Sequence, residues 1–392
     1  MKINNSSKRV NLLLKTGILM SLVFFPFLNA LFYPGFLLAF ISWLLIIMEK
    51  SYNLAYFLSI PFVKELAVLL LLSTISLSYA SDLSYGIRYW TMILQAFLSY
   101  LMIYESLDSK DVLLKFQQIL LIPALVVALY GIVGYLMGNT ERAVSFFTNP
   151  NYLSVYLLLL IPIALGLITE SSLPVFKRFF AAVVFTACSV ALLFTMSRGA
   201  WLGITTALIL FSVIKDRRFL VLLLVIVLLV LLAAPPEVIS RMKTIISIKS
   251  NMDRIKLWSS TIEMIKDHPV LGVGIGNFRP VYAEYASGKL MIHTHNIFLQ
   301  FTVELGIAGL LFIIYFLYLL ARVALTVLKK YDYNKKGTGA ALGTVTSLLA
   351  LLIDLQFDFQ IIDRLTAMLA LFLIANLSFL AEGFSPSQAV DK

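Results

Sequence analysis

Long apolar segments follow one another along most of this chain, and the polar stretches between them are short. A helix of roughly 20 apolar residues crosses the ~30 Å hydrocarbon core of a bilayer, whereas a membrane β-barrel needs short alternating strands, which this pattern lacks. The pattern therefore predicts an all-α, polytopic integral membrane protein with about twelve transmembrane helices. We expect these spans near residues 12–28, 31–48, 62–80, 89–104, 113–137, 151–168, 179–196, 200–214, 219–234, 297–321, 338–357 and 364–381.

One polar interruption is much longer than the others, and it divides the chain into three parts. Its apolar residues recur at helical spacing between Asn251 and Lys266, which predicts a short amphipathic helix along the membrane surface with Trp258 at the interface. The three predicted parts are transmembrane helices 1–9 in 1–234, a periplasmic catalytic loop in 235–295, and transmembrane helices 10–12 with a cytoplasmic tail in 296–392.

The same loop contains the glycine-rich run Gly272-Val273-Gly274-Ile275-Gly276. No strand precedes this run and its spacing is not that of a dinucleotide-binding fingerprint, so the pattern does not favour a nucleotide site. We expect instead a tight, close-packed turn that brings Arg279 inward.

Composition agrees with a membrane protein, since 60% of the residues are hydrophobic and the mean hydropathy is +0.92. The net charge of +10 is interpreted first as an orientation signal, because lysine and arginine accumulate in cytoplasmic loops. It does not indicate nucleic-acid binding. With both termini in the cytoplasm, the short outward connections keep arginines and no lysine, namely Arg88, Arg142, Arg198 and Arg364. The planar guanidinium of arginine suits phosphate recognition, although each of these residues could also contact lipid headgroups.

Few residues indicate other chemistry. Cys188 is the single cysteine and lies in an apolar span, which excludes an intramolecular disulfide and a cysteine-based metal site. We also expect no metal site of Asp, Glu and His residues, because no group of them has ligand spacing along the chain. Glu304 and Asp354 lie at helical membrane depth, where a pairing with arginines would compensate their charge.

Four groups of residues occur in a characteristic order: Met196 to Gly203, Arg254 with Trp258, His268 to Phe278, and His293 to Gln300 followed by Glu304-Leu305-Gly306. In order and spacing they resemble the O-antigen ligase and O-antigen polymerase superfamily of bacterial envelopes. The resemblance spans roughly Phe147 to Leu311 and includes Asn149-Pro150-Asn151, whereas the N-terminal third agrees only in hydropathy.

The resemblance implies a metal-independent, inverting glycosyltransferase that needs no cofactor. Such an enzyme moves a glycan from undecaprenyl pyrophosphate to an acceptor at the periplasmic face of the inner membrane, among membrane lipids. We expect lipid A-core as the acceptor, as for a ligase, and we expect a monomer. The chemistry requires a base for the acceptor hydroxyl and fixed cations for the departing pyrophosphate. On this interpretation His295 is the general base, and Arg198 and Arg254 clamp the pyrophosphate. Further substrate-binding candidates are Arg279, Arg142, Arg88, His293, Asn296 and Trp258.

Several alternatives remain open at this stage. His293 could be the base in place of His295, or both could merely begin the next helix with Thr294 or Asn296 as its cap. An O-antigen polymerase would join lipid-linked repeats, and related enzymes glycosylate proteins. A lipid-linked glycan transporter is a different class, but it predicts charged residues along a path through the membrane centre, whereas the candidates here cluster at one face.

Overall fold

The computed structural model describes residues 5–221, 224–225, 228, 234–245, 247–286, 290–333 and 337–382, and within these ranges it contains helices and no strand. Two short 3-10 helices cover Leu77–Tyr79 and Gln360–Ile362. The α-helices are α1 (Asn5–Phe24), α2 (Asn29–Lys50), α3 (Leu54–Ser59), α4 (Val63–Ser76), α5 (Leu83–Ser106), α6 (Lys110–Leu136), α7 (Pro150–Ile168), α8 (Val175–Phe194), α9 (Arg198–Lys215), α10 (Pro236–Lys243), α11 (Ile248–Asp267), α12 (Phe278–Tyr285), α13 (Ile297–Lys330), α14 (Gly339–Asp354) and α15 (Arg364–Glu382).

Among the described residues, seven helices are long and apolar enough to cross a membrane: α2, α6, α7, α8, α9, α13 and α15. The all-α, multi-pass prediction is therefore confirmed. Helix α14 has 16 residues, fewer than the predicted span 338–357. Most of the predicted span 219–234 lies outside the described residues.

Helices α7, α14 and α15 form the centre of the bundle, because their side chains are buried on nearly every face. Small residues allow α7 and α14 to approach closely. A Cβ atom on Gly166 would lie 2.5 Å from the carbonyl oxygen of Gly339, so the two backbones touch at this point. Such contacts between small residues are a common way to pack helices in membranes.

The loop between α9 and α13 folds back onto the bundle. Its glycine loop (Gly272–Gly276) has positive φ angles of 72°, 91° and 71° at its three glycines, which confirms the predicted tight turn. Backbone N–H groups of Val273 and Gly274 donate to the carbonyls of Val303 and Glu304, each at 2.9 Å. These two N–H groups are therefore not available to a phosphate.

Helix α13 accommodates the glycine loop by breaking its own backbone at Gly306, where φ is 63° and ψ is −152°. The backbone N–H of Ile307 then donates to the carbonyl of Pro269 at 3.0 Å instead of to its own helix. A Cβ atom on Gly306 would lie 2.1 Å from the carbonyl oxygen of Val270, so the contact requires glycine. This contact fixes the loop helices α11 and α12 to the end of the bundle at which α13 begins.

Candidate active site

The histidine turn (His293–Asn296) lies immediately before α13, and hydrogen bonds hold it on both sides. The Asn296 side chain accepts from the backbone N–H groups of Phe298 and Leu299 at 3.0 and 3.1 Å, so it is the N-cap of α13. The Gln300 side chain accepts from the backbone N–H of Thr294 at 2.8 Å. The cap assignment from the sequence was thus correct for Asn296, and the cap leaves both imidazoles free for other contacts.

His295 has a φ angle of 55°, in the left-handed region that residues other than glycine rarely adopt. Its Nδ1 atom lies 2.8 Å from Oδ1 of Asp358, which follows α14. A neutral imidazole that donates from Nδ1 keeps a lone pair on Nε2. The backbone geometry and the carboxylate together orient His295 as a proton acceptor, and its side chain is 19% exposed.

Asp358 is buried and satisfied by several donors. Its Oδ1 accepts from the Phe359 backbone N–H at 2.9 Å and from the Gln360 side chain at 2.8 Å, and its Oδ2 accepts from the Asn151 side chain. Burial raises its pKa, but the hydrogen bond from His295 and the nearby histidines outweigh this effect and lower the pKa to about 2. Asp358 is therefore an anion at neutral pH.

His293 differs from its neighbour in exposure and in partners. Its side chain is only 3% exposed, and its Nε2 lies 3.9 Å from Oδ1 of Asp358, too far for a hydrogen bond. Burial and the adjacent His295 lower the pKa of His293 to about 4. A buried imidazole that resists protonation to this extent is a poor general base at neutral pH.

Four arginines form an arginine cluster beside the histidine turn: Arg142, Arg198, Arg241 and Arg254. Arg198 lies within electrostatic range of Arg241 and Arg254, and Arg142 lies within range of Arg241 and Arg198. Among the described residues, Arg142, Arg241 and Arg254 make no salt bridge to a carboxylate. The cluster therefore holds positive charge that an anion would stabilise.

The turn between α8 and α9 organises this cluster. Carbonyl oxygens of Thr195 and Met196 accept from the Nε atoms of Arg142 and Arg241, at 2.7 and 3.3 Å. Met196 has a left-handed φ of 52°, which reverses the chain so that α9 can begin at Arg198. The carbonyl oxygens of this turn thus hold two of the four guanidinium groups, and the turn places Arg198 at the start of α9.

A hydrogen-bonded chain joins the arginine cluster to the histidine turn. Nη2 of Arg142 donates to Oδ1 of Asn151 at 3.0 Å, and the amide nitrogen of Asn151 donates to Asp358, which in turn binds His295. Burial and the charge of Arg241 lower the pKa of Arg142 to about 10, so it is still a cation at neutral pH. The arrangement couples a candidate anion site to a candidate base.

Helix α11 contributes to the site through two residues of one face. Arg254 lies within electrostatic range of Asp358, and the indole Nε1 of Trp258, one turn later, donates to the carbonyl of Thr294 at 2.9 Å. The predicted amphipathic helix at 251–266 is present, but Trp258 is half-buried against the histidine turn. The indole N–H therefore finds its partner inside the protein, and the position of Trp258 at the membrane interface stays a prediction.

Other sequence candidates lie elsewhere. Arg279 is exposed at the start of α12, so the expectation that the glycine turn brings it inward is wrong. The backbone N–H groups of that turn contact α13, and the side chain points away from it. Arg88 is exposed on α5, with no contact to the arginine cluster among the described residues. Arg364 lies over the ring of Tyr33, with 5.8 Å between its guanidinium carbon and the ring centroid.

The two intramembrane carboxylates behave differently from each other. Glu304 accepts from the backbone N–H groups of Phe278 and Gly276, so its role is to hold the glycine loop. The expectation that it pairs with an arginine is wrong, since backbone donors satisfy it. Asp354 is fully buried, and neither of its oxygens has a hydrogen-bond partner among the described residues, although the charge of Arg254 acts on it.

Two further residues of the site did not stand out in the sequence as site candidates. Arg241 lies in the large loop like the other candidates, but α10 carries no motif that separates it from ordinary basic residues. Asp358 follows a predicted span and resembles an ordinary loop carboxylate. The sequence could have pointed to Arg241 and Asp358 in one way: both are charged residues on the predicted membrane face that also holds Arg198 and His295.

The structure brings three potential metal ligands together. His293, His295 and Asp358 each offer one ligand atom, and these atoms lie within 4.8 Å of one another. The expectation that no such group exists is therefore wrong, because spacing along the chain does not reveal a carboxylate from another segment. Two imidazoles and a carboxylate suit a transition-metal ion better than Mg²⁺ or Ca²⁺.

The fold and the site define a multi-pass membrane protein with an arginine cluster beside a histidine–aspartate pair. Residues 181–314 match the family model described as O-antigen ligase, which confirms the resemblance over this segment. The match supports a glycosyltransferase-type activity of the ligase or polymerase kind. The comparison with curated proteins gave no match.

Proposed function

We propose that this protein is an O-antigen ligase that transfers a glycan from undecaprenyl pyrophosphate to lipid A-core. The observation that carries the proposal is the juxtaposition of the His295–Asp358 pair with four arginines contributed by separate segments. A base and a pyrophosphate site are the two parts that this reaction needs. The pocket then faces the periplasm from the inner membrane, with both termini in the cytoplasm.

In the proposed reaction, Nε2 of His295 accepts the proton of an acceptor hydroxyl while that oxygen attacks the anomeric carbon. The bond from this carbon to the pyrophosphate oxygen breaks, and the configuration at the carbon inverts. Asp358 holds the imidazole in the required tautomer and stabilises the imidazolium that forms, as the carboxylate does in catalytic triads. Removal of such a base lowers the rate by about 10²–10⁴-fold.

The arginine cluster binds the pyrophosphate and neutralises the charge that develops on it as it departs. Arg198 from the bundle and Arg254 from the loop are the proposed clamp, while Arg142 and Arg241 add charge to the same cluster. Guanidinium groups can donate two parallel hydrogen bonds to phosphate oxygens, which fixes the orientation of the donor. On this proposal the reaction needs no metal ion.

The test combines purified protein with a lipid-linked glycan and either lipid A-core or a second carrier-linked unit. We expect lipid A-core to be extended, and extension of the carrier-linked unit instead would identify a polymerase. Extension of neither acceptor, with movement of the donor across a vesicle membrane, would identify a transporter.

Variants separate the roles of the residues. His295→Ala should abolish transfer without weakening donor binding, whereas Arg198→Ala and Arg254→Ala should weaken donor binding. His268→Ala is the matched control, since His268 is exposed and lies outside the histidine turn. Undiminished transfer by a folded His295→Ala protein would reject the base assignment, and unchanged donor binding in both arginine variants would reject the clamp.

A further inference from the structure

The spacing of ligand atoms at the histidine turn suits a bound transition-metal ion. Nδ1 of His295 and Nε2 of His293 lie 2.8 and 3.9 Å from the same oxygen of Asp358. Zinc binds imidazole nitrogen and carboxylate oxygen at about 2.0–2.2 Å, which places neighbouring ligand atoms roughly 3–3.5 Å apart. The separation from His295 is shorter than this value and the separation from His293 is longer. Small side-chain movements would therefore bring the ligand atoms to the spacing that zinc requires.

The hydrogen bonding of His293 also supports a metal site at the histidine turn. Its Nδ1 has no hydrogen-bond partner among the described residues, although the ring is 3% exposed. Its Nε2 faces the Asp358 carboxylate without a hydrogen bond between them. A buried imidazole whose Nδ1 has no partner is uncommon in folded proteins. A cation between Nε2 and the carboxylate would satisfy the nitrogen that faces Asp358.

We propose that Nε2 of His293, Nδ1 of His295 and Oδ1 of Asp358 form an inhibitory site for Zn²⁺ and similar transition-metal ions. The inhibitory part rests on the proposed function, in which His295 is the base. Two imidazoles and one carboxylate are a ligand set of known zinc sites, and they leave a coordination position open for water.

Inhibition follows from the tautomer of His295. In the metal-free protein the ring carries its proton on Nδ1, which donates to Asp358, and Nε2 has the lone pair. When the metal binds Nδ1, that proton exchanges through solvent onto Nε2, and the ring stays neutral with one proton. Nε2 is then a donor and cannot accept the proton of a hydroxyl. The metal also occupies the Asp358 oxygen that would stabilise the imidazolium.

The arginine cluster limits the affinity of this site. Asp358 lies within electrostatic range of Arg142 and Arg254, and these cations repel a metal dication. Mg²⁺ and Ca²⁺, which prefer oxygen ligands, should bind far more weakly than Zn²⁺. The site is therefore selective for ions that favour nitrogen ligands.

The experiment measures binding of Zn²⁺ and Mg²⁺ to the purified full-length protein by equilibrium dialysis. We expect one Zn²⁺ per chain, and a loss of affinity of about 10–100-fold or more in His293→Gln and in Asp358→Asn. His268→Gln is the matched control because the chain has three histidines and this one lies outside the turn. Its zinc affinity should equal that of the unmodified protein.

Two further measurements guard against a variant that fails to fold. The absorption spectrum of Co²⁺ bound to the unmodified protein should show coordination by nitrogen and oxygen ligands. Transfer should stop when Zn²⁺ saturates the site and recover when a chelator is added. No stoichiometric Zn²⁺ binding, equal affinity in His293→Gln, or uninhibited transfer with Zn²⁺ bound would each overturn the inference. Failure of the proposed function differs from these results, because it appears as absent transfer in metal-free protein.

Discussion

The glycine loop and the histidine turn use the same left-handed backbone with different residues. In the glycine loop every left-handed position is a glycine, which adopts this conformation without steric cost. In the histidine turn the position is His295, for which the left-handed region costs about 1–2 kcal/mol. Glycine would be the more stable choice at position 295, so the histidine indicates a requirement other than stability. Unusual backbone angles of this kind concentrate at functional sites.

The largest expected effect comes from replacing His295 with Gly and with Ala. Both variants should lose about 10²–10⁴-fold of the transfer rate, because neither can accept a proton. The glycine variant should nevertheless be more stable than the alanine variant by about 1 kcal/mol, because only alanine meets the left-handed penalty. Transfer assays and thermal unfolding in detergent check the two parts. An alanine variant as stable as the glycine variant would remove the argument from backbone strain.

The second effect tests the glycine loop. A Cβ atom on Gly272 would lie 2.6 Å from the backbone of Glu304, and its φ is 72°, so Gly272→Ala should lower the free energy of unfolding by more than about 2 kcal/mol. Gly134→Ala is the matched control, since nothing lies within 4 Å of a Cβ atom there, and it should leave stability unchanged or raise it. Denaturation of both variants measures the difference, and equal stabilities would contradict the close contact.

A third effect distinguishes the two histidines by pH. The pKa of His293 is about 4 in the folded protein against 6.5 for an ordinary histidine, so the folded state binds fewer protons. The contribution of His293 to the free energy of unfolding is fully present above pH 6.5. It is lost as the pH falls toward 4, and the total loss is about 3 kcal/mol. The lowered pKa of Asp358 affects the free energy of unfolding only below about pH 3.8, its ordinary pKa, so this effect can be separated from that of His293.

Chemical denaturation of the unmodified protein between pH 7 and pH 4 measures this loss. His293→Gln should flatten the profile over that interval, whereas His268→Gln should leave it unchanged because His268 is exposed. An identical acid profile in His293→Gln would show that the buried imidazole is not the titrating group.

The sequence predicted the parts of the site that hydropathy and motifs can reveal. The apolar pattern predicted the helices, and Arg198, Arg254 and His295 were expected to form one site. The structure places Arg198 within electrostatic range of Arg254, and Arg254 within range of Asp358, which binds His295. Asp358 was missed because its role depends on a hydrogen bond to a residue 63 positions away. Arg279 was misplaced because a glycine-rich turn indicates where the chain reverses, but not which side chain turns inward. Such distant contacts follow from packing and leave no trace in local spacing.

The arginine cluster, the base and its carboxylate come from parts of the chain that are synthesised at different times. Arg142 and Arg198 are made with helices α6 to α9, Arg254 and His295 follow with the loop, and Asp358 comes last, after α14. Chains generally fold from the N-terminus as they emerge from the ribosome. On the proposed function, a nascent chain would therefore present the arginine cluster before Asp358 has been made, and the His295–Asp358 pair would form only once α14 has been inserted.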